Sequence, residues 1–362
     1  MSYNTKINTK IMEPSLENKI ILDGTEIGDG NPCYIIAEIG INHNGDVLLA
    51  KKLIDVASKS GANAVKFQKR NLDLIYQKEI LENPNLDSQG TEILIDVLKE
   101  VELDEIGYNE IIEYCKEKKI TFLCTPWDHT SVDFLEKLNV AGYKVSSADM
   151  TNIPLIKYIA NTKKPMIIST GMSTLEEIEK TVIFVKDLNA PFMLLHCNST
   201  YPSPIDLLNL KMIHLLKQKF SVPVGYSGHE TSIYPSIAAA NLGALVVERH
   251  ITLDKKMEGL DHASSLEPYE FEQLVRGIRE SELALGKPKK KMTRGEILQR
   301  EVLAKSLVCS NAIEIGDVFS EKNMDIKSPA RGLSPQYYYE ILHKVSKRKI
   351  QKGDYILDSD LD

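Results

Sequence analysis

From residue 34 to about residue 250, the chain repeats one pattern of hydrophobic and polar positions. A short, mostly apolar run closes on a polar side chain. The runs are YIIAE (34–38), AVKFQ (64–68), ITFLCT (120–125), GYKVSS (142–147), PMIIST (165–170), FMLLHC (192–197), VPVGYS (222–227) and ALVVERH (244–250). Runs this apolar predict strands buried on both faces. Between most of them lie segments of helical period, including 47–60, 104–118, 174–187 and 232–241. Strand and helix alternating eight times over roughly 250 residues predict an α/β fold, a (β/α)8 TIM barrel over 34–285. Active sites of that fold lie at the C-terminal ends of the strands. Here those ends carry Glu38, Lys66, Gln68, Thr125, Lys144, Ser147, Ser169, His196, Ser227 and His250. A barrel needs no such set for stability, so the pattern points to an enzyme.

The flanking sequence extends this picture. Residues 1–17 read as a loose polar tail. In 19–28, KIILDGTEIG, an Asp-Gly pair between two apolar stretches predicts a hairpin placed to plug the bottom of the barrel. Residues 69–103, with Asn83-Pro84 and many charges, form an insertion after the second run and are expected to act as a lid or substrate wall. After 253–268 an amphipathic helix runs to about 285. A Lys-rich connector over 286–304, ending in a short helix, leads to a small β-rich domain over 305–362. The total of 362 residues exceeds one barrel, which agrees with a second domain.

Composition narrows the function classes. A net charge of −7 offers nucleic acid and anionic membranes no attraction. No run approaches the roughly 20 apolar residues of a membrane span, and the polar N-terminus lacks a signal core. A cytoplasmic protein is expected. The five cysteines show no metal-ligand spacing and read as buried free thiols.

Three groups of residues carry chemistry. His229, just past the seventh run, and His250, ending the eighth, lie on neighbouring strands about 4.8 Å apart, close enough to share a divalent metal ion. An open, nitrogen-rich shell suits Mn2+, Mg2+, Co2+ or Zn2+. Lys66 and Lys144, ringed by Thr125, Ser147, Ser169 and Ser227, describe an anion site for phosphate plus carboxylate. The alternative is a Schiff-base lysine, as in metal-independent aldolases and lyases acting on pyruvate and a sugar. Glu38, Asp149 and Asp261 are the candidate catalytic carboxylates, and Tyr201 stands where it can orient a sugar hydroxyl.

The motifs AEIGINHNGD (37–46), VKFQ (65–68), CTPWD (124–128), YKVSSAD (143–149), ISTGM (168–172), HCNSTYP (196–202), SGHE (227–230), ERHITLD (248–254) and GLDHASSLEP (259–268), collinear and at strand ends, resemble the sialic acid synthase family. Residues 305–362 resemble the antifreeze-like (SAF) domain that family carries. The resemblance implies condensation of phosphoenolpyruvate with a mannosamine-type sugar to a nine-carbon keto acid such as N-acetylneuraminate or legionaminate. It implies a divalent metal on His229 and His250. Lys66, Thr125, Lys144, Ser147, Ser169 and Ser227 would hold phosphoenolpyruvate, and Glu38, Asp149, Tyr201 and Asp261 would face the acceptor or water. Gln68, Ser199 and Arg331 complete the expected substrate-binding set. It also implies a homodimer in which the small domain covers the partner's site.

Three departures fall on the acceptor side. SSAD stands where many N-acetylneuraminate synthases have GSGE, Ser199-Thr200 where they have Asn-Ile, and Lys327-Ser328-Pro329-Ala330 where they have Lys-Arg-Pro-Gly. The arginine expected at the sugar's N-acyl end is thus absent, with Arg331 nearby in sequence. These departures suggest a modified acceptor, such as a 2,4-diacetamido-2,4,6-trideoxy sugar, in place of plain N-acetylmannosamine.

Overall fold

The computed structural model describes residues 19–82 and 91–362. The expected polar tail and the Asn83-Pro84 pair lie outside the described residues. The chain forms two compact units, 1–286 and 287–362.

In the first unit, β1 (Lys19–Leu22) and β2 (Thr25–Gly28) pair as an antiparallel hairpin. Eight parallel strands follow: β3 (Tyr34–Gly40), β4 (Ala64–Lys69), β5 (Thr121–Pro126), β6 (Tyr143–Val145), β7 (Met166–Ser169), β8 (Phe192–Cys197), β9 (Val224–Gly228) and β10 (Val246–His250). Each pairs with the next, and β10 pairs with β3 to close the barrel. This is the expected TIM barrel.

Alternation along the strands builds two apolar layers. On β3, Ile35, Ala37 and Ile39 face outward into the shell of helices, while Tyr34 and Ile36 join an inner cluster with Ala64, Leu123, Ile167, Met193, Leu195 and Val246. Ile20, Leu22 and Ile27 of the hairpin pack against that inner cluster, so the hairpin plugs the barrel at the N-terminal ends of its strands. Helix Val47–Ser60 buries Ala50, Leu53, Ile54 and Ala57, and helix Pro268–Leu285 buries Phe271, Leu274, Val275 and Ile278. Both sets follow the i, i+3, i+4, i+7 spacing of one helical face. Asp46 caps the first helix by accepting from the Leu48 amide, and Gly61 ends it in the left-handed region. Helix Leu175–Asp187 starts on a Thr174–Glu177 capping box. Each fully buried Leu or Ile adds about 1.5–3 kcal/mol, so this shell holds the strand ends rigidly.

The insertion after β4 holds two short helices, Leu72–Ile75 and Lys78–Glu82, and the helix Thr91–Val101. Among the described residues no helix is long and apolar enough to cross a membrane.

The second unit contains helix Arg294–Leu303, within the expected connector, and strands β11 (Ser306–Cys309) and β12 (Met324–Lys327), paired antiparallel. Leu307, Cys309, Ile313, Phe319, Ile350 and Ile356 form its core. Regular strand is sparse here; isolated bridges such as Ile313 to Ile350 tie the loops together.

Candidate active site

Along each barrel strand the inward positions are apolar below and polar at the last one or two steps. On β3 the inward series is Tyr34, Ile36, Glu38; on β10 it is Val246, Glu248, His250. Register sets Glu38 beside Lys66 and His250 beside Glu38, and Ser227 beside Glu248. The polar tips surround a cavity of about 410 Å³ at the C-terminal ends of the strands. Glu38, Lys66, Gln68, Thr125, Lys144, Ser147, Ser169, Ser199, Tyr201, Ser227, His229, His250 and Asp261 all line it.

The floor is a buried charge cluster. Lys66 Nζ lies 2.9 Å from Glu38 and 3.8 Å from Glu248, and Lys144 Nζ lies 3.8 Å from Glu248. Lys66 also donates to Thr125 Oγ1 (3.1 Å), and Gln68 donates to Glu38 (3.0 Å). Ser227 donates to Glu248 (3.0 Å). Burial pushes the Glu38 carboxyl above the ordinary range despite Lys66. Burial also acts on Glu248, but Lys144 and Lys66 outweigh it and hold this carboxyl below the ordinary range. Two neighbouring carboxyls pushed apart in this way suit a proton acceptor and a permanent anion. Burial lowers Lys144, whereas Glu248 and Glu38 overcome burial at Lys66 and raise it.

Two glycines keep the floor open. A Cβ on Gly40, at φ +57°, would meet Glu38 at 3.1 Å and Gln68 at 3.2 Å. A Cβ on Gly171 would fall 2.7 Å from Ser147 Oγ. Ser147 Oγ accepts from the Gly171 amide (3.1 Å). Among the described residues, Ser169 Oγ is buried without a hydrogen-bond partner.

His229 and His250 have ring centroids 5.3 Å apart. His229 Nδ1 lies 2.7 Å from the Asn198 carbonyl. A carbonyl only accepts, so Nδ1 carries a proton, and in the neutral ring the lone pair is on Nε2. Burial pushes His250 down to about 4, so its imidazole is neutral at pH 7. Among the described residues its Nδ1 is buried without a hydrogen-bond partner, 3.5 Å from Asp261. Burial acts against charge on His229, but Cys197 and the Asn198 carbonyl outweigh it and hold this ring above its ordinary value. In its neutral form, with the Asn198 carbonyl behind it, His229 would join His250 as a donor to a divalent ion. Among the described residues no group of three or more His, Cys, Asp or Glu is arranged to hold an ion. Oxygen ligands from outside the protein would therefore complete the shell. Tyr201 stacks on His229 with centroids 4.0 Å apart and stands edge-on to His250.

Two expected positions differ. Asp149 does not line this cavity. β6 ends after three residues, and Ser146 turns the chain into a single 3-10 turn over Ser147–Asp149. The Asp149 carboxylate then accepts from Ser146 and Asn152 (2.9 Å each) and faces a neighbouring cavity with Trp127 and His129. His196, between the inward positions Leu195 and Cys197, points outward and its Nε2 meets the Leu208 carbonyl at 2.7 Å. Arg331 is exposed on the second unit.

Glu248 and Arg70 also line the cavity and were not singled out from the sequence. Glu248 was legible: it precedes His250 by two and so shares its inward direction. Arg70 was not, because it follows β4 where the strand alternation ends.

Comparison with known proteins agrees with this geometry. Residues 53–290 match the model of the NeuB family and residues 304–362 that of the SAF domain. The chain is 40% identical over 327 residues to N,N'-diacetyllegionaminic acid synthase of Campylobacter jejuni, covering 89% of this chain and 98% of that one. It is 37% identical over 342 residues to N-acetylneuraminate-9-phosphate synthase of Homo sapiens, covering 94% and 95%. The crystal structure of N-acetylneuraminic acid synthetase from Leptospira borgpetersenii superposes with a TM-score of 0.69 at 33% identity, covering 78% of this chain and 95% of that one. With a barrel ending in this cluster of polar residues and relatives that are sugar-acid synthases, the chain belongs to the NeuB family and carries a C-terminal SAF domain.

Proposed function

We propose that this protein condenses phosphoenolpyruvate with an N-acetylmannosamine-type sugar, forming a nine-carbon 2-keto sugar acid and inorganic phosphate. The observation that carries the reading is the pair of buried ammonium groups, Lys66 and Lys144, sharing Glu248 in one cavity with the imidazoles of His229 and His250. The named activities of the relatives agree with it.

Lys66, Lys144 and the hydroxyls of Thr125, Ser147, Ser169 and Ser227 would hold the donor's phosphate and carboxylate. His229 and His250 would hold a divalent ion, which supplies Lewis-acid polarisation of the acceptor carbonyl when bound. Fixing both substrates in one cavity turns a two-body encounter into a positioned one. Carbon 3 of the donor bonds to the sugar's aldehyde carbon, water adds at carbon 2, and phosphate leaves by carbon–oxygen cleavage. Glu38, raised by burial and bonded to Gln68 and Lys66, is the group placed to take the water's proton. Asp261 and Tyr201 face the acceptor side, beside His250 and His229. The homodimer is part of this reading, and light scattering on the full chain tests it.

The deciding experiment incubates the protein with phosphoenolpyruvate, Mn2+ and a panel of hexosamines and follows phosphate release. No release with any acceptor overturns the reading. A Schiff-base lyase is the second reading, favoured by the burial that lowers Lys144.

A further inference from the structure

One charged group of the cavity has no task in this scheme. Arg70 stands just past β4 and is 6% exposed. Its guanidinium lies over the Trp127 ring, 4.9 Å from the centroid. One Nη donates to the Gln68 amide oxygen, and the Gln68 amide nitrogen donates to Glu38. The chain thus ties Arg70 to the site's buried carboxylate. Yet Arg70 Nε is buried with no hydrogen-bond partner, and Arg70 enters no ion pair among the described residues. A buried donor left unmade is costly, so this one points to a ligand. Around it the insertion supplies an apolar wall of Ile75, Tyr76, Leu94 and Leu98.

A donor beside an apolar wall fits a group with a carbonyl oxygen at one end and a small hydrocarbon at the other. An N-acyl substituent has that form. A phosphoryl group fits less well. Lys66, Lys144 and Arg70 already face Glu38, Glu248 and Asp261, so the cavity starts near charge balance. The anionic donor adds negative charge before a second dianion could enter, and the apolar wall would strip that dianion of water. We propose that Arg70, with the wall of Ile75, Tyr76, Leu94 and Leu98, binds the N-acyl group of the acceptor sugar. The inference rests on the amino-sugar reading above. It places inside the barrel a contact for which Ser328 lacks the side chain.

The test uses Arg70→Met and Arg70→Lys in the full chain with Mn2+, comparing N-acetylmannosamine, N-acetylmannosamine 6-phosphate and acyl-free mannose by phosphate release. Removing a charge-assisted bond is expected to lower kcat/KM for N-acetylmannosamine about ten- to hundred-fold in Arg70→Met. The KM for phosphoenolpyruvate stays unchanged and the preference for N-acetylmannosamine over mannose collapses. Arg70→Lys, which keeps the charge but not the fork, recovers part of it. Equal losses on N-acetylmannosamine and mannose overturn the assignment, because a folding or positioning defect would spare neither. A loss confined to the 6-phosphate overturns it in favour of an anion site. Absence of turnover by the wild-type protein on these sugars and on a 2,4-diacetamido-2,4,6-trideoxy hexose overturns the amino-sugar reading and this one with it. Normal wild-type turnover with an unaffected Arg70→Met overturns this one alone.

Discussion

Replacing Glu248 by Gln separates the two roles its carboxylate can play. The side chain keeps its volume and can still accept from Ser227, but it loses the charge that faces Lys66 and Lys144 at 3.8 Å each. At an effective dielectric of about 20, each pair is worth roughly 4 kcal/mol before desolvation. Releasing a buried carboxylate from its desolvation cost returns part of this, and breaking a buried pair costs about 3–5 kcal/mol net. For a barrel of this size each kcal/mol moves Tm by roughly 2–4 °C, so the free variant is expected to melt about 6–20 °C lower. On the proposed reading, phosphoenolpyruvate brings its own negative charge to the same two ammonium groups. Saturating donor should therefore narrow the gap between variant and wild type. By the same cycle the variant should bind donor more tightly, about tenfold for each 1.4 kcal/mol restored. Scanning calorimetry with and without donor, and isothermal titration of donor, measure both effects. An equal loss of Tm with and without donor, or weaker donor binding by the variant, refutes the claim that these lysines form the anion site.

Other outcomes follow from the same geometry. Chelation should abolish turnover and Mn2+ restore it, and His250→Ala should weaken Mn2+ binding measured by titration while leaving Tm near that of wild type; full activity without metal would remove the histidines from this role. Sodium borohydride with donor and acceptor should leave no adduct on Lys144, and a stable mass increase there would favour the Schiff-base reading. The buried pair of Arg249 and Glu230, 3.0 Å apart, joins the loop after β9 to β10. Arg249→Met should cost about 3–5 kcal/mol, and Arg249→Met with Glu230→Leu should recover most of it by denaturant unfolding. His43, held neutral by burial and lowered to about 4, takes up its proton more readily when unfolded. Because the unfolded chain binds more protons between about pH 4 and 6.5, stability should fall as pH falls through that window. His43→Phe should flatten this dependence; an unchanged slope would exclude His43 as its source.

How much of this was open to reading from the chain depends on how local each cause is. Strand number, the major helices and the inward set Glu38, Lys66, Thr125, Lys144, Ser169, Ser227 and His250 follow from periodicity and caps, which act over a few residues. Alternation alone would also have picked out Glu248, two before His250, and would have turned His196 outward. Asp149 escaped because its direction depends on where β6 stops, and Ser146 stops it by capping a turn. Arg70 escaped because it lies past the end of β4, and besides Gln68 two residues before it the groups that hold its guanidinium are distant in sequence. Trp127 beneath its guanidinium and Leu94 and Leu98 beside it come from segments roughly 25–55 residues away, brought together by barrel closure and the packing of the insertion. The sequence alone determined which side chains a barrel points inward. Tertiary structure decided which of them share a charge, which are spent on turns, and which buried donor has no partner among the described residues, because those outcomes depend on distances between groups far apart along the chain.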